Sequence, residues 1–154
     1  MTLRTLLIAA VLLAPTLAQA QGWQRYASPS SGVRLDLPTA IFTEAETTPE
    51  AGPGRRFVTA DRRADLIVLS EPNPDNLSPA KFLARKGPPA DIIYRRVTPR
   101  FFVVSSIRQG RIWYNRCNRA AGAMHCVLIN YPAAEKRRWD PVVTRISHSL
   151  SGGA

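Results

Sequence analysis

The sequence contains few of the side chains on which catalysis and metal binding most often depend. Among its 154 residues there are only two cysteines and two histidines. It has no C-x-x-C redox pair, no G-x-S-x-G nucleophile elbow and no G-x-x-x-x-G-K-[ST] phosphate loop. No acidic loop has the spacing of a calcium site. These absences argue against thiol redox, serine hydrolase, nucleotide-binding and calcium-binding functions.

Long apolar runs are also missing after the first twenty residues. Those residues read MTLRTLLIAAVLLAPTLAQA, with Arg4 before an apolar run and a small-x-small ending. This pattern predicts a secretory signal peptide over residues 1–20. A membrane anchor needs about 20 apolar residues, whereas this run is shorter and contains Pro15. Gln21 stands where a lipoprotein would need a cysteine. We therefore expect a soluble periplasmic or secreted protein, with residues 21–154 forming a single domain that has no transmembrane segment.

Acidic residues are scarce relative to basic ones. There are 11 acidic and 21 basic residues, a net charge of +10 that falls to +9 when Arg4 leaves with the signal peptide. A nucleic-acid partner is disfavoured because export would separate the protein from it and because the 18 arginines and 3 lysines are scattered along the chain. The charge predicts attraction to anionic partners at the cell envelope, which salt would screen.

Alternating apolar and polar residues indicate strands along most of the chain. Val33, Leu35 and Leu37 alternate with polar residues, and together with WQRYAS they predict an opening hairpin. The runs RRFVTA and ADLIVLS predict a second strand pair. Four later runs, DIIYRRV, RFFVVSSIR, RIWYNRC and MHCVLINY, are joined too tightly for crossover helices, so they predict an antiparallel meander.

The acidic residues do not form a recognisable catalytic pair. Asp61 and Asp65 frame the short DRRAD turn, and Glu44, Glu46 and Glu50 are assigned to one loop. We interpret all five as solvated turn and loop charges.

One helix is marked at both ends. Ser78 is placed to cap its first turn, Pro79 fits the first helical position, and Gly87 fits the position after the last turn. Phe82 and Leu83 would then face the core.

The C-terminal segment PAAEKRRWDPVVTRISHSL predicts two helical stretches. Pro132 would open the first, and Asp140 with Pro141 would cap and open the second. The second would be amphipathic, with Val142, Val143, Ile146 and Leu150 on one face and Arg145 and His148 on the other.

Strands segregated from a few helices predict an α+β fold, an antiparallel sheet of roughly six to eight strands with helices packed on it. The segments RYASPSSGVRLDLP, YRRVTPRFFVVSSIRQGRIWYNRC and LINYPAAEKRRWDPVVTRIS resemble a group of small exported proteobacterial proteins with no assigned activity. The resemblance covers nearly all of the chain after residue 20. It implies a PsbP/Mog1-like sandwich of sheet and helices, and it supplies no catalytic residue.

The two cysteines are interpreted as a disulfide. If the hairpin turn is centred on Ala121 and Gly122, Cys117 faces Cys126 at a non-hydrogen-bonded position, with Cα atoms about 4.5 Å apart. That separation lies near the lower end of the disulfide range, and export supplies an oxidising compartment.

A metal site and a redox centre are the alternatives for these cysteines. Zinc would need four ligands, yet His125 and Cys126 are strand neighbours that point to opposite faces, and His148 lies on a distant helix. A redox role lacks a C-x-x-C pair and a helix N-terminus at either sulfur. The disulfide is favoured over both, and no metal or cofactor is assigned.

The late strands are rich in arginine and carry two aromatic residues that suit cation–π contacts. These residues raise the hypothesis of a cationic face for an anionic glycan, a lipid head group or an acidic protein partner. The candidate face comprises Arg95, Arg96, Arg108, Arg111, Arg116, Arg119, Trp113 and Tyr114. An ordinary solvated sheet face is the preferred interpretation, because alternation along a strand distributes these side chains over both faces.

These observations favour a non-enzymatic binding or accessory module of the cell envelope, with no catalytic residue assigned. The first alternative is a small hydrolase-like enzyme, which a pocket holding His125 or His148 near a serine and a carboxylate would favour. A metal-binding envelope protein is less favoured.

Overall fold

The computed structural model describes residues 22–46 and 54–152. The predicted signal peptide and Glu50 lie outside these residues. The described strands are β1 (Gln24–Ala27), β2 (Arg34–Leu37), β3 (Phe42–Glu46), β4 (Arg55–Thr59), β5 (Asp65–Pro72), β6 (Ile92–Val97), β7 (Phe101–Arg108), β8 (Arg111–Ala120) and β9 (Ala123–Pro132). The described helices are α1 (Pro79–Lys86) and α2 (Lys136–Ser149), the latter preceded by a 3-10 turn over Ala133–Glu135.

Seven of these strands form one antiparallel sheet in the order β3-β4-β5-β9-β8-β7-β6. The predicted meander is confirmed as its β9-β8-β7-β6 half. The predicted opening hairpin is also confirmed, but β1 and β2 form a separate two-stranded sheet. Leu35 and Leu37 of β2 are buried while Arg34 is exposed, which is the alternation seen in the sequence.

The two sides of the large sheet carry separate apolar cores, because alternate residues of each strand point to opposite faces. Helix α2 and the β1–β2 hairpin cover one face, which we call the α2 face. Helix α1 covers the other, which we call the α1 face. Leu66, Val127, Ile129, Trp139 and Ile146 belong to the core on the α2 face. The core on the α1 face contains Phe82, Leu83, Phe102, Val104, Cys117, Met124 and Cys126.

Helix α1 has the predicted start and end. The Ser78 side chain accepts a hydrogen bond from the Lys81 amide, Pro79 is the first helical residue, and Gly87 follows the last turn with φ 74°. Phe82 and Leu83 are buried, as their predicted orientation requires.

The predicted break at Asp140 and Pro141 is wrong, because α2 runs unbroken through both residues. Pro141 removes one amide donor within the helix, at a cost of about 3 kcal/mol. Burial of Trp139, Val143 and Ile146 outweighs this cost, since each buried side chain contributes about 1.5 to 3 kcal/mol. The apolar face of the helix is therefore continuous across the proline.

The loop assignment of Glu44 and Glu46 is also wrong, because both lie in strand β3 at the edge of the sheet. Glu46 pairs with Arg56 of the neighbouring strand, with 3.4 Å between Oε2 and Nη1. Glu44 pairs with Arg62 at 3.1 Å. One cross-strand ion pair and one ion pair to the β4–β5 turn thus accompany a strand that has little apolar alternation of its own.

Cys117 and Cys126 form the disulfide that the sequence predicts. Their Cα atoms are 4.1 Å apart, and they face each other in the register that also pairs Ala120 with Ala123. Both sulfurs lie in the core beneath α1, with side chains at most 1 % exposed. The bond joins the two central strands β8 and β9 in the middle of the sheet.

The C-terminal tail packs over the end of the sheet. Ser151 exchanges two backbone hydrogen bonds of 2.8 Å with Arg34. A Cβ atom placed on Gly152 would lie 2.1 Å from Cδ2 of His125, so the backbone lies directly on the imidazole ring. Only glycine allows this approach.

We predict that reduction of the disulfide lowers the free energy of unfolding by about 2.5 to 3 kcal/mol, because the cross-link restricts the unfolded chain. Urea unfolding with and without reductant measures this difference on one sequence, with no cavity introduced by mutation. The Cys117→Ala/Cys126→Ala double variant is the control, since its unfolding has to be insensitive to reductant. Equal stability of the oxidised and reduced wild type would contradict the prediction.

We predict that Gly152→Ala lowers the free energy of unfolding by about 1 to 2 kcal/mol, because the tail has to leave His125 and break its two hydrogen bonds with Arg34. The matched control is Gly22→Ala, whose added Cβ would lie 3.8 Å from Cβ of Ala40, an ordinary contact. Urea unfolding of both variants tests the difference, and equal effects would show that the contact with His125 is not the cause.

Candidate functional site

The eight residues of the predicted cationic face lie on both faces of the sheet. Arg96, Tyr114 and Arg116 lie on the α2 face, where they line one groove. The other five lie on the α1 face by strand register: Arg95, Arg108, Arg111, Trp113 and Arg119. The structure therefore does not bring the eight together, in agreement with the alternation argument. Whether any of them binds an anion stays a prediction.

The five residues on the α1 face make separate contacts. Arg108 stacks over the ring of Trp113 at 5.2 Å. Arg111 donates to Oδ1 of Asn130 at 2.8 Å and to the Arg63 carbonyl at 2.7 Å. Arg119 donates to the Asn76 carbonyl at 2.8 Å, and Arg95 is exposed on the edge strand. These contacts hold Arg111 and Arg119 against the protein itself.

The residues on the α2 face converge in a groove between helix α2 and strands β6, β7 and β8. Its volume is about 400 Å³. We call it the arginine groove and define it by Arg96, Phe101, Tyr114, Arg116, Ser147 and His148. Val103 lies between Arg96 and Arg116 in the register of the three strands, so the two arginines project from one row across the sheet.

The Phe101 ring is the common platform for the two guanidinium groups. The Arg116 Cζ atom is 4.2 Å from the ring centroid, and the Arg96 Cζ atom is 5.6 Å from it. Both distances are within the range of a cation–π contact, which favours a cation over an aromatic face. One aromatic side chain therefore holds two like charges close together.

Arg116 is further held by hydrogen bonds on two sides. Its Nε donates to Oδ1 of Asn118 at 2.9 Å, and its Nη1 donates to Oγ of Ser147 at 3.3 Å. The same Ser147 oxygen shares a short hydrogen bond with the Tyr114 hydroxyl. Ser147 is buried, so helix α2 fixes the position of Arg116. The other guanidinium, that of Arg96, is exposed and has greater freedom.

Burial shifts the pKa values of Arg116 and Tyr114 in the groove in opposite directions. Burial lowers the pKa of the Arg116 guanidinium, and the nearby charge of Arg96 acts in the same direction. Burial raises the pKa of the Tyr114 hydroxyl. Arginine nevertheless stays charged at any physiological pH, and Tyr114 stays neutral. The groove therefore presents two positive charges together with neutral hydroxyl groups.

The arginine groove contains no acidic side chain among its lining residues. Within the described part of the chain, neither Arg96 nor Arg116 forms an ion pair. Two adjacent uncompensated guanidinium groups in a concave site match the geometry that carboxylate and phosphate groups require. The groove therefore has the charge and the shape of a candidate anion site.

Phe101 and Ser147 were not among the site residues predicted from the sequence. Phe101 entered the prediction only as part of the strand RFFVVSSIR, which lies between two arginine-rich runs. Ser147 carries a clearer signal, since it lies four residues after Val143 on the apolar face of α2. A serine at such a position is buried and needs a polar partner.

Neither histidine completes a hydrolase site among the described residues. His125 is buried, its Nδ1 lies 3.0 Å from Oγ of Ser70, and Gly152 covers its ring. Burial lowers its pKa, which favours the neutral imidazole. His148 borders the arginine groove next to Ser147, where no carboxylate is present. Each histidine therefore has a serine nearby, but neither has the acidic partner that a hydrolase site requires.

The cysteines do not provide a metal site, because both sulfurs are joined in the disulfide. Over residues 22–46 and 54–152, no group of three or more His, Cys, Asp and Glu side chains is arranged to hold a metal ion. Within the same ranges, no helix has the length and hydropathy needed to cross a membrane.

Comparison with known proteins shows the fold. No family model matches the chain, and no curated protein matches it significantly. The chain is similar to the cyanobacterial PsbP protein CyanoP from Synechocystis sp. PCC 6803, with a TM-score of 0.65 and 14% identity over 92% of this chain and 99% of that one. It is also similar to the Ran-binding protein Mog1p of Saccharomyces cerevisiae, with a TM-score of 0.56 and 10% identity over 84% and 95% of the two chains. The α+β prediction is confirmed, and the chain has a PsbP/Mog1-like fold.

Proposed function

We propose that this protein is an exported, non-enzymatic binding or accessory module of the cell envelope that holds an anionic group of its partner in the arginine groove. The observation that carries the proposal is the pair Arg96 and Arg116, stacked on one phenylalanine ring in a groove with no acidic lining residue. Isolated surface arginines would be mobile and solvated. These two share an aromatic platform instead, and a buried serine also holds Arg116 in place.

The shape of the groove supports recognition of a carboxylate or phosphate group on a larger molecule. The groove is open, and its volume of about 400 Å³ falls within the range of small-molecule sites, about 300 to 1,000 Å³. Two planar guanidinium groups orient such an anion, while the Tyr94 hydroxyl and His148 at the border supply further polar contacts. Anionic glycans, lipid head groups and acidic protein segments all carry the required group.

The compartment is inferred from three features. The first twenty residues have the pattern of a signal peptide. The buried disulfide is typical of an oxidising compartment. The resemblance to small exported proteobacterial proteins agrees with both. A binding role suits the fold, since one structural neighbour, Mog1p, is a Ran-binding protein. A hydrolase is the second candidate, and it requires an acidic partner for His125 or His148.

We predict that Arg116→Gln and Arg96→Gln each weaken binding of a short polyglutamate peptide by about tenfold or more, because each removes one charge-assisted contact. Titration calorimetry at low salt measures the change, and added salt should weaken wild-type binding steeply. The matched control is Arg95→Gln on the same strand, which removes the same charge from the opposite face and should change the affinity less than about twofold.

Equal losses of affinity in the three variants would mean that peptide binding depends on net charge alone. The arginine groove would then not be the binding site. Because Arg116 is half-buried, its variant is also checked by urea unfolding. The exposed Arg96 provides a test that does not depend on that result. Lysophosphatidylglycerol and alginate, tested in the same way, identify which anionic class binds best.

We predict that the protein purified from its host begins near Gln21 and lies in the periplasmic or secreted fraction. Intact mass and N-terminal sequencing measure the start, and fractionation measures the compartment. Replacing Leu12 and Leu13 by Arg should abolish export, because it interrupts the apolar run. A full-length cytoplasmic chain would contradict the proposal of an exported module while leaving the arginine groove to be tested separately.

A further inference from the structure

A second cavity lies on the α1 face of the sheet, opposite the arginine groove. Its volume is about 360 Å³, and it opens between helix α1, the Gly87–Asp91 connection and strands β7, β8 and β9. Most of its lining is apolar and includes Phe82, Leu83, Phe102, Val104, Leu128 and Trp113. Cys117 contributes one sulfur of the disulfide to the same lining. The cavity therefore lies over the cross-linked centre of the sheet.

This cavity is a partly open pocket whose floor is formed by buried side chains of the core on the α1 face, including Phe82, Phe102 and Val104. Water molecules are poorly stabilised in a space whose lining is mainly apolar, because each one needs two or more polar partners for its hydrogen bonds. The volume lies within the range of ligand sites of about 300 to 1,000 Å³. An apolar group is the occupant that such a lining favours.

The cavity opens next to part of the exposed apolar surface of the protein. Five large hydrophobic side chains are exposed in the described part of the chain: Ile92, Ile93, Tyr94, Ile107 and Trp113. All five lie on strands β6, β7 and β8. The register places Ser106 between Ile92 and Trp113, and Ser106 and Trp113 both line the cavity. By the same register Ile92 and Trp113 lie on the α1 face and continue the apolar lining of the cavity, whereas Tyr94 and Ile107 lie on the α2 face. An exposed apolar corner that adjoins a cavity is typical of a binding site.

The charges at the mouth leave one arginine uncompensated. The two acidic residues of the lining are each neutralised, Glu71 by Lys86 and Asp65 by Arg56. The remaining charged lining residue is Arg108, which stacks over Trp113 at 5.2 Å and forms no ion pair among the described residues. An apolar chamber with one free cation at its entrance fits a ligand with an apolar tail and an anionic head.

We propose that this cavity binds a single-chain anionic amphiphile, with the acyl chain between helix α1 and the sheet and the head group at Arg108. A free fatty acid and a monoacyl phospholipid share this chemistry. The chain would cover Phe102, Val104 and Leu128, and the Trp113 ring would lie at the junction of tail and head. Arg108, Trp113 and Cys117 project from the opposite face of the sheet to Tyr114 and Arg116, so this site stands whether or not the arginine groove binds an anion.

Titration calorimetry with the purified mature protein tests the proposal with four probes below their micelle concentrations. Dodecanoate and lauroyl lysophosphatidylglycerol represent the two sources of the ligand. Acetate lacks the chain, and dodecanol lacks the charge. We expect saturable 1:1 binding of dodecanoate or of the lysolipid, no measurable binding of acetate, and at least tenfold weaker binding of dodecanol. The tighter of the two charged probes identifies the source.

Two variants separate the cavity from the surface around it. Ala90→Trp places a large ring at the mouth on an exposed loop residue, so it should block binding by tenfold or more without disturbing the core. Its matched control is Ala84→Trp, the same change at an exposed position of α1 that does not line the cavity. Arg108→Gln should weaken the binding of dodecanoate but not that of dodecanol. The control Arg137→Gln should change the binding of neither.

Three results would overturn the proposal. The first is the absence of dodecanoate and lysolipid binding to the folded wild type. The second is binding that Ala90→Trp and Ala84→Trp reduce equally, which would place the ligand on the outer surface. The third is binding only to phosphatidylglycerol vesicles, unchanged by Ala90→Trp, which would make the apolar corner a membrane contact.

Discussion

The antiparallel pairing of β8 with β9 is the interaction on which the rest of the structure depends. The two strands are paired along their full length, from Arg111 with Pro132 to Ala120 with Ala123. They occupy the middle of the sheet, between β5 and β7, and the disulfide joins them beneath α1. Both apolar cores are built on these strands, with Cys117 and Cys126 on one face and Ile112, Val127 and Ile129 on the other.

Strand alternation along β8 also explains why this strand contributes to two pockets on opposite faces of the sheet. Trp113 and Cys117 face the cavity beneath α1, whereas Tyr114 and Arg116 face the groove beneath α2. The arginine side chains have different surroundings on the two faces of the sheet. On the α2 face two guanidinium groups share one aromatic platform, and on the α1 face a single arginine borders an apolar chamber. One strand therefore contributes side chains to both the proposed anion site and the proposed amphiphile site.

The features that the sequence predicts correctly are those set by neighbouring residues. Helix α1 follows from Ser78, Pro79 and Gly87, because caps act within one turn. The disulfide follows from the position of the Ala121–Gly122 turn, because a tight hairpin fixes the register of its two strands. The unbroken helix through Pro141 depends instead on burial against the sheet, which no local rule contains.

The sites themselves depend on contacts between distant segments. The placement of β5 beside β9 joins residues more than fifty positions apart and leaves β6 at the far edge. The arginine groove needs α2 to bring Ser147 to Arg116, 31 residues away in sequence. The sequence identified the arginine and aromatic residues of the late strands. Only the structure showed which of them lie on each face of the sheet, and that Phe101 and Ser147 contact Arg116.

The most direct test of this account uses two side-chain signals of β8 in nuclear magnetic resonance, the indole N–H of Trp113 and the Nε–H of Arg116. The protein is titrated with dodecanoate and, separately, with a short polyglutamate peptide. We predict that dodecanoate shifts the Trp113 signal alone and that the peptide shifts the Arg116 signal alone. Movement of both signals in both titrations, or of neither, would contradict the claim that the two faces of one strand serve two separate sites.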